Sequence, residues 1–193
     1  NQDAGGSYRL ANYLLDMGMY RSALFAARQV LTIAGLDEHT ESMMAPAYFS
    51  HVRYGLYYSD LVIPIAQQEG FDPLFVYSVI RQESLFEGYV RSSAGARGLM
   101  QVIPSTGAQI ASELGKPANY TEEDLYRPYV SVLLGSHYLA RNRSLLNGDL
   151  YATLAAYNGG PGNAIAWKEL SGDDPDLFLE SVRFEETRNY IRN

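Results

Sequence analysis

The apolar positions of this chain recur at helical spacing along most of its length, with small and polar residues between them. Sustained alternation of β-branched and polar residues, which would predict strands, occurs nowhere in the sequence. Turn residues and helix caps divide the pattern into short segments, with caps predicted at Ser59-Asp60, Asp72 and Asp149 and a capping-box-like start at Thr121–Asp124. The pattern therefore predicts an all-α fold, with helices over residues 8–20, 21–34, 59–68, 74–84, 104–114, 128–146, 150–157, 163–170, 176–183 and 184–192.

The two N-terminal helices, 8–20 and 21–34, carry alternating small and large apolar residues that could interdigitate. Helical-repeat hairpins pack in this way, and a simple N-terminal helical collar explains the same pattern equally well. The segment 43–58 that follows is rich in aromatic residues, namely Tyr48, Phe49, Tyr54, Tyr57 and Tyr58. Tyrosine clusters can stack on sugar rings, but they more often pack helices while their hydroxyls stay wet, and we expect packing here.

The length, composition and charge of the chain limit the classes of protein to which it can belong. With 193 residues, 47% of them hydrophobic and 19% charged, the composition predicts one globular domain, or one domain with a helical appendage. A net charge of −7 without Lys/Arg runs argues against a nucleic-acid or anionic-membrane partner. The chain has no cysteine, and no apolar run reaches the roughly 18 residues that a membrane-spanning helix needs. The polar start at Asn1 is not a secretory signal, and we expect a mature or trimmed fragment.

Glu83 is the candidate for chemistry, because it ends an apolar helical stripe. Asp72-Pro73 is a strong helix start, with Asp as the N-cap and Pro at the first helical position. In the helix that follows, Glu83 shares a face with three apolar residues, Val76, Val79 and Ile80. Apolar surroundings and the negative end of the helix dipole both raise the pKa of a carboxyl group. A carboxyl that stays protonated near neutral pH can serve as a general acid.

Two alternatives for Glu83 stay open at this point: a side chain in solvent, or an ion pair with Arg81 or Arg91. The segment that follows the helix favours the functional interpretation. Its glycine-rich part, residues 95–98, has little bulk and allows positive φ angles, and two large apolar residues and a neutral amide, Leu99-Met100-Gln101, come next. Such a loop could fold back over Glu83 and supply an apolar wall and an uncharged hydrogen-bonding group.

A tyrosine near the end of a later helix is a second candidate. Residues 158–162, Asn-Gly-Gly-Pro-Gly, predict a turn immediately after Tyr157. The turn could present the phenol across a cleft to a carboxyl group, although an ordinary C-cap loop explains it as well. The sequence has no phosphate-binding glycine loop, no Ser-His-Asp order and no Cys-His pair. His137 has no partner at metal-ligand spacing, so no metal or cofactor is predicted.

Four short motifs stand in order along the chain: Glu83-Ser84, Gly98-Leu99-Met100-Gln101, Ala156-Tyr157-Asn158, and Glu186-Thr187-Arg188 followed by Tyr190. In this order and spacing they resemble the soluble-type lytic transglycosylases of the goose-lysozyme-like superfamily, which carry the transglycosylase SLT domain. The resemblance covers Asp60 to the C-terminus. It implies a lysozyme-like catalytic domain over 59–193, preceded over 1–58 by the end of a helical superhelix.

The resemblance implies a cleft for peptidoglycan glycan strands, with Glu83 as the catalytic acid. It implies supporting or substrate-binding roles for Ser92, Gln101, Tyr157, Asn158 and Glu186. Of these, Tyr157 matches the tyrosine that hydrogen-bonds the acid, and Glu186 matches a carboxylate of the cleft. The sequence departs from the family in two places. Glu87-Gly88 replaces the usual Asn/Asp-Pro after the catalytic helix, and Ile103 replaces a Met.

Glycosidases commonly use two carboxylates, but the sequence fixes no second one beside Glu83. The resemblance implies that Glu83 works alone, as acid and then as base, and that the muramic product closes a 1,6-anhydro ring. Two rivals remain: hydrolysis in the lysozyme manner, with Glu87 or Glu186 positioning water, and an inactive peptidoglycan-binding module. The resemblance also implies a periplasmic or extracellular monomer with no cofactor, whose partner is the glycan strand. The sequence does not distinguish endo from exo cleavage.

Overall fold

The computed structural model describes residues 3–37 and 44–193. Its eleven α-helices within these residues are α1 (Ala4–Asp16), α2 (Tyr20–Ile33), α3 (Ala47–Arg53), α4 (Ser59–Gln68), α5 (Pro73–Ser84), α6 (Pro104–Leu114), α7 (Pro128–Leu145), α8 (Leu150–Gly159), α9 (Pro161–Ser171), α10 (Pro175–Ser181) and α11 (Glu185–Arg192). A 3₁₀ helix, Glu122–Tyr126, precedes α7. No strand occurs in the described part of the chain, which confirms the all-α prediction.

Helix α7 is the centre of the molecule. It packs against α4, α6, α8 and the 3₁₀ helix. Its buried residues lie on all sides of the helix rather than on one stripe, which is typical of a helix enclosed by neighbours. Leu145, in the last turn of α7, is half exposed. Buried Asn142 marks the end of the enclosed part of α7.

The hydrophobic interior has two parts. One continuous cluster joins α1–α7 and the loop after α5, and it includes Ala11, Val62, Ile80 and Met100. A smaller cluster joins α8–α11 around Trp167 and Phe178. None of the helices in residues 3–37 and 44–193 combines the length and apolarity required to cross a membrane.

The aromatic residues near the N-terminus pack helices together, as the sequence predicts. The ring of Tyr57 stacks on Tyr20 of α2 with centroids 4.1 Å apart, and it contacts Phe86 edge-on at 5.1 Å. The Tyr57 hydroxyl donates to the Val52 carbonyl. These contacts join the N-terminal helices to the segment that follows α5. Residues 38–43, which include the first residue of the aromatic-rich segment 43–58, lie outside the described residues.

Local capping signals fix several helix starts. Asp72 accepts a hydrogen bond from the Leu74 amide at 2.8 Å, and Asp149 accepts one from the Ala152 amide at 3.0 Å, both as predicted. Thr121 and Asp124 form the predicted capping box at the start of the 3₁₀ helix. The prediction of Ser59 as a cap is wrong, because Ser59 lies inside α4 and Tyr58, with φ 57°, occupies the cap.

Gly98 lies where the loop after α5 meets the 3₁₀ helix. Its φ is +76°, and a Cβ at this position would overlap the Leu125 carbonyl oxygen. Gly115 has a similar φ of +63°, but no atom lies within 4 Å of its Cβ position. A side chain at either position costs free energy because of the positive φ, but only a side chain at residue 98 also meets a close neighbour. Substitutions at the two positions therefore distinguish the two costs.

We expect Gly98→Ala to lower the free energy of unfolding by about 3 kcal/mol, since positive φ and overpacking add their costs. Gly115→Ala, the matched control, should cost about 1 kcal/mol. Urea denaturation of both variants measures the difference. Equal losses would contradict the close approach of this loop to the 3₁₀ helix.

Candidate active site

A cleft of about 570 Å³ runs between α5, the loop after it, α7, α8 and α11. All six residues proposed from the sequence line this one cleft: Glu83, Ser92, Gln101, Tyr157, Asn158 and Glu186. Three of them lie before α6 in the sequence and three lie after α7. The cleft therefore joins two parts of the chain that are far apart in sequence. The structure thus brings together the whole set that the sequence singled out.

Glu83 lies in the last turn of α5, beyond the buried residues Val76, Val79 and Ile80. Burial raises the pKa of Glu83 from 4.5 to about 7. A hydrogen bond from Tyr190 acts in the opposite direction and lowers this pKa, while the negative charge of Glu186 raises it. Arg81 instead donates to the Arg53 carbonyl, so the alternative of an Arg81–Glu83 pair is wrong.

The tyrosine that holds Glu83 is Tyr190 and not Tyr157. The Tyr190 hydroxyl donates to Glu83 Oε1 at 2.7 Å, whereas the Tyr157 hydroxyl donates to the Met100 carbonyl at 2.7 Å. The predicted turn after Tyr157 begins two residues later, at the end of α8, so Tyr157 stays within the helix and reaches the loop instead of the acid. Tyr190 follows Glu186 by four residues on α11, and this spacing could have predicted that both face the cleft.

Both phenols stay protonated at neutral pH. Burial and the nearby Glu83 carboxyl raise the pKa of Tyr190 and that of Tyr157 well above the usual tyrosine range. Tyr190 therefore remains a hydrogen-bond donor to Glu83 over the physiological range. A donor at Oε1 leaves Oε2 as the oxygen that can carry the acidic proton.

The loop 97–102 folds back against α5, as the sequence predicts. Ser84 Oγ donates to the Leu99 carbonyl at 2.8 Å, directly beside Glu83 in the chain. The Met100 amide donates to Ser131 Oγ of α7 at 3.1 Å. Together with the bond from Tyr157 to Met100, side chains from α5, α7 and α8 satisfy this backbone. Leu99 and Met100 are fully buried in the main hydrophobic cluster, and the loop residues that line the cleft itself are Gln101 and Val102.

Gln101 closes the loop with its side chain. Its backbone φ is +47°, and its amide nitrogen donates to the carbonyls of Gly98 at 2.8 Å and Val90 at 3.2 Å. Both amide protons are therefore used within the protein, and the carbonyl oxygen is left for a ligand in the cleft. Gln101 supplies a neutral acceptor, which accords with the uncharged group expected near Glu83.

The other three predicted residues each retain a free hydrogen-bonding group. Ser92 Oγ accepts from the Ala96 amide at 3.1 Å, which leaves its proton available. Asn158 Oδ1 accepts from Thr187 Oγ1 at 2.6 Å, which leaves its amide nitrogen available. Glu186, in the first turn of α11, is exposed. These groups can donate to or accept from the hydroxyl and acetamido groups of a sugar.

The cleft also contains residues that the sequence analysis gave no role. Tyr138 of α7 packs its ring against Tyr157 with centroids 5.5 Å apart, and it provides an aromatic wall. Gln82, Asn189 and Ile103 line the cleft as well. Within residues 3–37 and 44–193, no three His, Cys, Asp or Glu side chains are grouped to hold a metal ion.

Proteins of known function that are similar to this chain include two lytic murein transglycosylases. The chain is 29% identical over 161 residues to the soluble lytic murein transglycosylase of Salmonella typhimurium, covering 81% of this chain and 25% of that protein. It is 30% identical over 155 residues to the membrane-bound lytic murein transglycosylase C of Sodalis glossinidius, covering 69% of this chain and 43% of that protein. The chain thus spans about a quarter of the soluble relative's length.

Two solved structures have the same fold as this chain. The 70 kDa soluble lytic transglycosylase from Escherichia coli superposes with a TM-score of 0.80 at 25% identity, covering 99% of this chain and 29% of that chain. The lytic transglycosylase Slt from Pseudomonas aeruginosa, solved as an inactive glutamate-to-glutamine mutant, superposes with a TM-score of 0.76 at 29% identity, covering 95% of this chain and 28% of that chain.

The match to a family model decides the assignment. Residues 60–177, more than half of the chain, match the model of the transglycosylase SLT domain. The matched range includes Glu83 and five helices that form or support the cleft, from α5 to α9. On these grounds the chain belongs to the transglycosylase SLT domain family.

Proposed function

We propose that this chain is the catalytic part of a peptidoglycan lytic transglycosylase. In this reaction the β-1,4 bond between N-acetylmuramic acid and N-acetylglucosamine breaks without water, and the muramic residue closes a 1,6-anhydro ring. Family membership and the relatives described as lytic murein transglycosylases support the reaction class. The inactive glutamate-to-glutamine mutant of the Pseudomonas neighbour supports a glutamate as the essential group.

One observation carries the proposal: the pKa of Glu83 is raised to about 7 by burial in a cleft of suitable size. At neutral pH a large fraction of the molecules then holds a proton on Glu83, and the conjugate base is strong enough to take a proton back. An ordinary exposed glutamate would be ionised and too weak a base for the second step. A single group can therefore serve both steps.

In the first step, protonated Glu83 gives the proton on Oε2 to the oxygen that bridges the two sugars. The bond between that oxygen and C1 of the muramic residue breaks, and the N-acetylglucosamine end leaves as an alcohol. The substrate's own acetamido group stabilises the positive charge that develops at C1. Tyr190 donates to Oε1 throughout, and this bond strengthens as Glu83 becomes a carboxylate.

In the second step, Glu83 as the carboxylate takes the proton from the C6 hydroxyl of the muramic residue. The C6 oxygen bonds to C1 and closes the anhydro ring, so the proton count on Glu83 returns to its starting value. The C6 hydroxyl has the advantage of proximity over water, since effective molarities of ~10⁵ M or more are reached by well-oriented groups. Ser92, Gln101 and Asn158 supply groups that can orient the sugars.

Glu186 is the group that could support the rival reaction, hydrolysis. It lines the cleft and its charge acts on Glu83, so it could position a water molecule. It is exposed, however, and an exposed side chain that keeps its rotamer freedom orients a water molecule poorly, so the C6 hydroxyl keeps its advantage of proximity. We therefore propose that Glu186 is a substrate-binding carboxylate.

We also propose that the catalytic domain covers residues 59–193, that the protein is a monomer, and that it acts in the cell envelope, where the glycan strands lie.

The product distinguishes the proposal from its rivals. We expect digestion of peptidoglycan in ¹⁸O-labelled water to give muramic ends that are one water lighter than reducing ends and that carry no label. Mass spectrometry of the released fragments measures both properties. Label at the muramic end would mean hydrolysis, and Glu186→Gln would then identify the water-positioning group.

The control for this experiment is Glu83→Gln, which keeps the shape of the side chain but has no proton of suitable acidity. General acid–base catalysis is worth about 10²–10⁴ in rate, so the variant should lose at least that factor while it still binds glycan strands. Cleavage at more than a few per cent of the wild-type rate would contradict the role of Glu83. Binding without any cleavage by the wild-type protein would leave the binding module as the function.

Tyr190→Phe should move the pH dependence of kcat/KM. The Tyr190 hydrogen bond lowers the pKa of Glu83, so its loss raises that pKa above about 7 and shifts the fall in activity to higher pH. Activity at neutral pH should drop about tenfold, because the carboxylate formed in the first step loses a charge-assisted hydrogen bond.

The matched variant is Tyr157→Phe, which removes a phenolic hydroxyl from the same cleft and keeps the ring. It leaves the Met100 carbonyl unpaired, so we expect a loss of about 1–3 kcal/mol of stability and no shift in the pH profile. Equal pH shifts in the two variants would contradict the assignment of Tyr190 as the group that tunes Glu83.

A further inference from the structure

Tyr89 is the most exposed large aromatic side chain of the described residues, with 83% of its surface accessible. It lies in the segment that follows the catalytic helix, where Glu87-Gly88 departs from the family pattern. A single exposed aromatic residue is ordinary on a protein surface. The surroundings of Tyr89 are what distinguish it.

The ring of Tyr89 is supported by a second ring. It stacks on Tyr126 of the 3₁₀ helix, with centroids 6.2 Å apart and planes inclined by 21°. The guanidinium of Arg97 lies over the same Tyr126 ring, 5.6 Å from its centroid. Arg97 is buried and is held by Glu122 at 2.8 Å and Glu123 at 2.6 Å. The Tyr89–Tyr126 platform, as we name these two rings, thus rests on a buried ion-paired arginine.

The backbone that presents Tyr89 is held in an unfavourable conformation. Leu85 and Phe86 both have positive φ angles, 51° and 64°, which residues other than glycine rarely adopt. Phe86 is buried against Tyr57 and Tyr77, and this packing compensates the strain. The Tyr89 amide donates to Glu87 Oε1 at 3.3 Å. Strained segments persist where the surrounding structure fixes them, and they often present functional groups.

The platform adjoins the catalytic cleft. Ser92 lines the cleft only three residues after Tyr89, a separation that the chain spans in at most about 11 Å. The Val90 carbonyl accepts a hydrogen bond from Gln101, which also lines the cleft. Arg97 follows Ala96 of the cleft wall directly. A polymer that leaves the cleft past Ser92 and Ala96 is therefore within reach of the two rings.

We propose that the Tyr89–Tyr126 platform is an outer sugar-binding subsite, on which a pyranose ring of the glycan strand stacks beyond the cleft. This inference rests on the proposed function. The apolar face of a pyranose fits an open tyrosine ring, whose hydroxyl stays in water. Two rings cannot supply the roughly 800 Å² per partner that a stable protein interface buries. One sugar of a strand that is already held in the cleft needs far less area.

Binding of glycan strands tests this subsite in the Glu83→Gln background, where strands stay intact. The probes are peptide-free strands of alternating N-acetylglucosamine and N-acetylmuramic acid, in graded lengths. For strands that extend beyond the cleft, we expect Tyr89→Ala to raise Kd about three- to tenfold, the range for an aromatic stacking contact. For fragments that only fill the cleft, Kd should not change. Tyr89→Phe, which keeps the ring, should bind as the parent does.

The matched control is Tyr151→Ala, which removes a half-exposed tyrosine of α8 that does not line the cleft. It should bind all lengths as the parent does. Equal loss for short and long strands on Tyr89→Ala would mean that the loop is disturbed, and no loss for long strands would mean that the rings do not bind sugar. Either result overturns the subsite and leaves the proposed function standing. Failure of the parent to bind any strand overturns both.

Discussion

The free-energy cost of holding an ionised carboxylate away from water is the constraint on which this site depends. Glu83 ends a buried stripe of α5, and Gln101 and Val102 of the loop 97–102 line the same cleft. Burial therefore raises the pKa of Glu83 to about 7, and the Tyr190 hydrogen bond limits the rise. In open solvent the carboxyl would be acidic, and without the phenol its ionised form would lose the hydrogen bond from Tyr190.

The loop keeps its place because other helices satisfy its backbone. Hydroxyls from Ser84, Ser131 and Tyr157 bond to the peptide groups of Leu99 and Met100. Buried peptide groups without partners are costly, so these three contacts select one conformation of the loop. Tyr157 thus contributes to the site by fixing the wall of the cleft, and Tyr190 contributes by contacting the acid. The two phenols have separate tasks that the sequence motif does not distinguish.

Features that depend on neighbours in the chain could be predicted from the sequence. The Asp72 cap, the apolar stripe that ends at Glu83, and the capping box at Thr121 each involve residues within a few positions of one another. Contacts between distant segments could not be predicted in the same way. Tyr190 and Glu83 are 107 positions apart, and their contact depends on how α11 docks against the rest of the domain. Helical spacing places Tyr190 on the same face as Glu186, but it does not reveal which tyrosine reaches the acid.

The mechanism requires Glu83 to keep its proton up to about neutral pH, and titration of this carboxyl group examines that requirement. The side-chain carboxyl carbon of Glu83 can be followed by ¹³C NMR as a function of pH, with its signal assigned by its absence from Glu83→Gln. We expect a midpoint near pH 7, since burial favours the neutral form. A midpoint near 4.5, the value for a solvated glutamate, would contradict it.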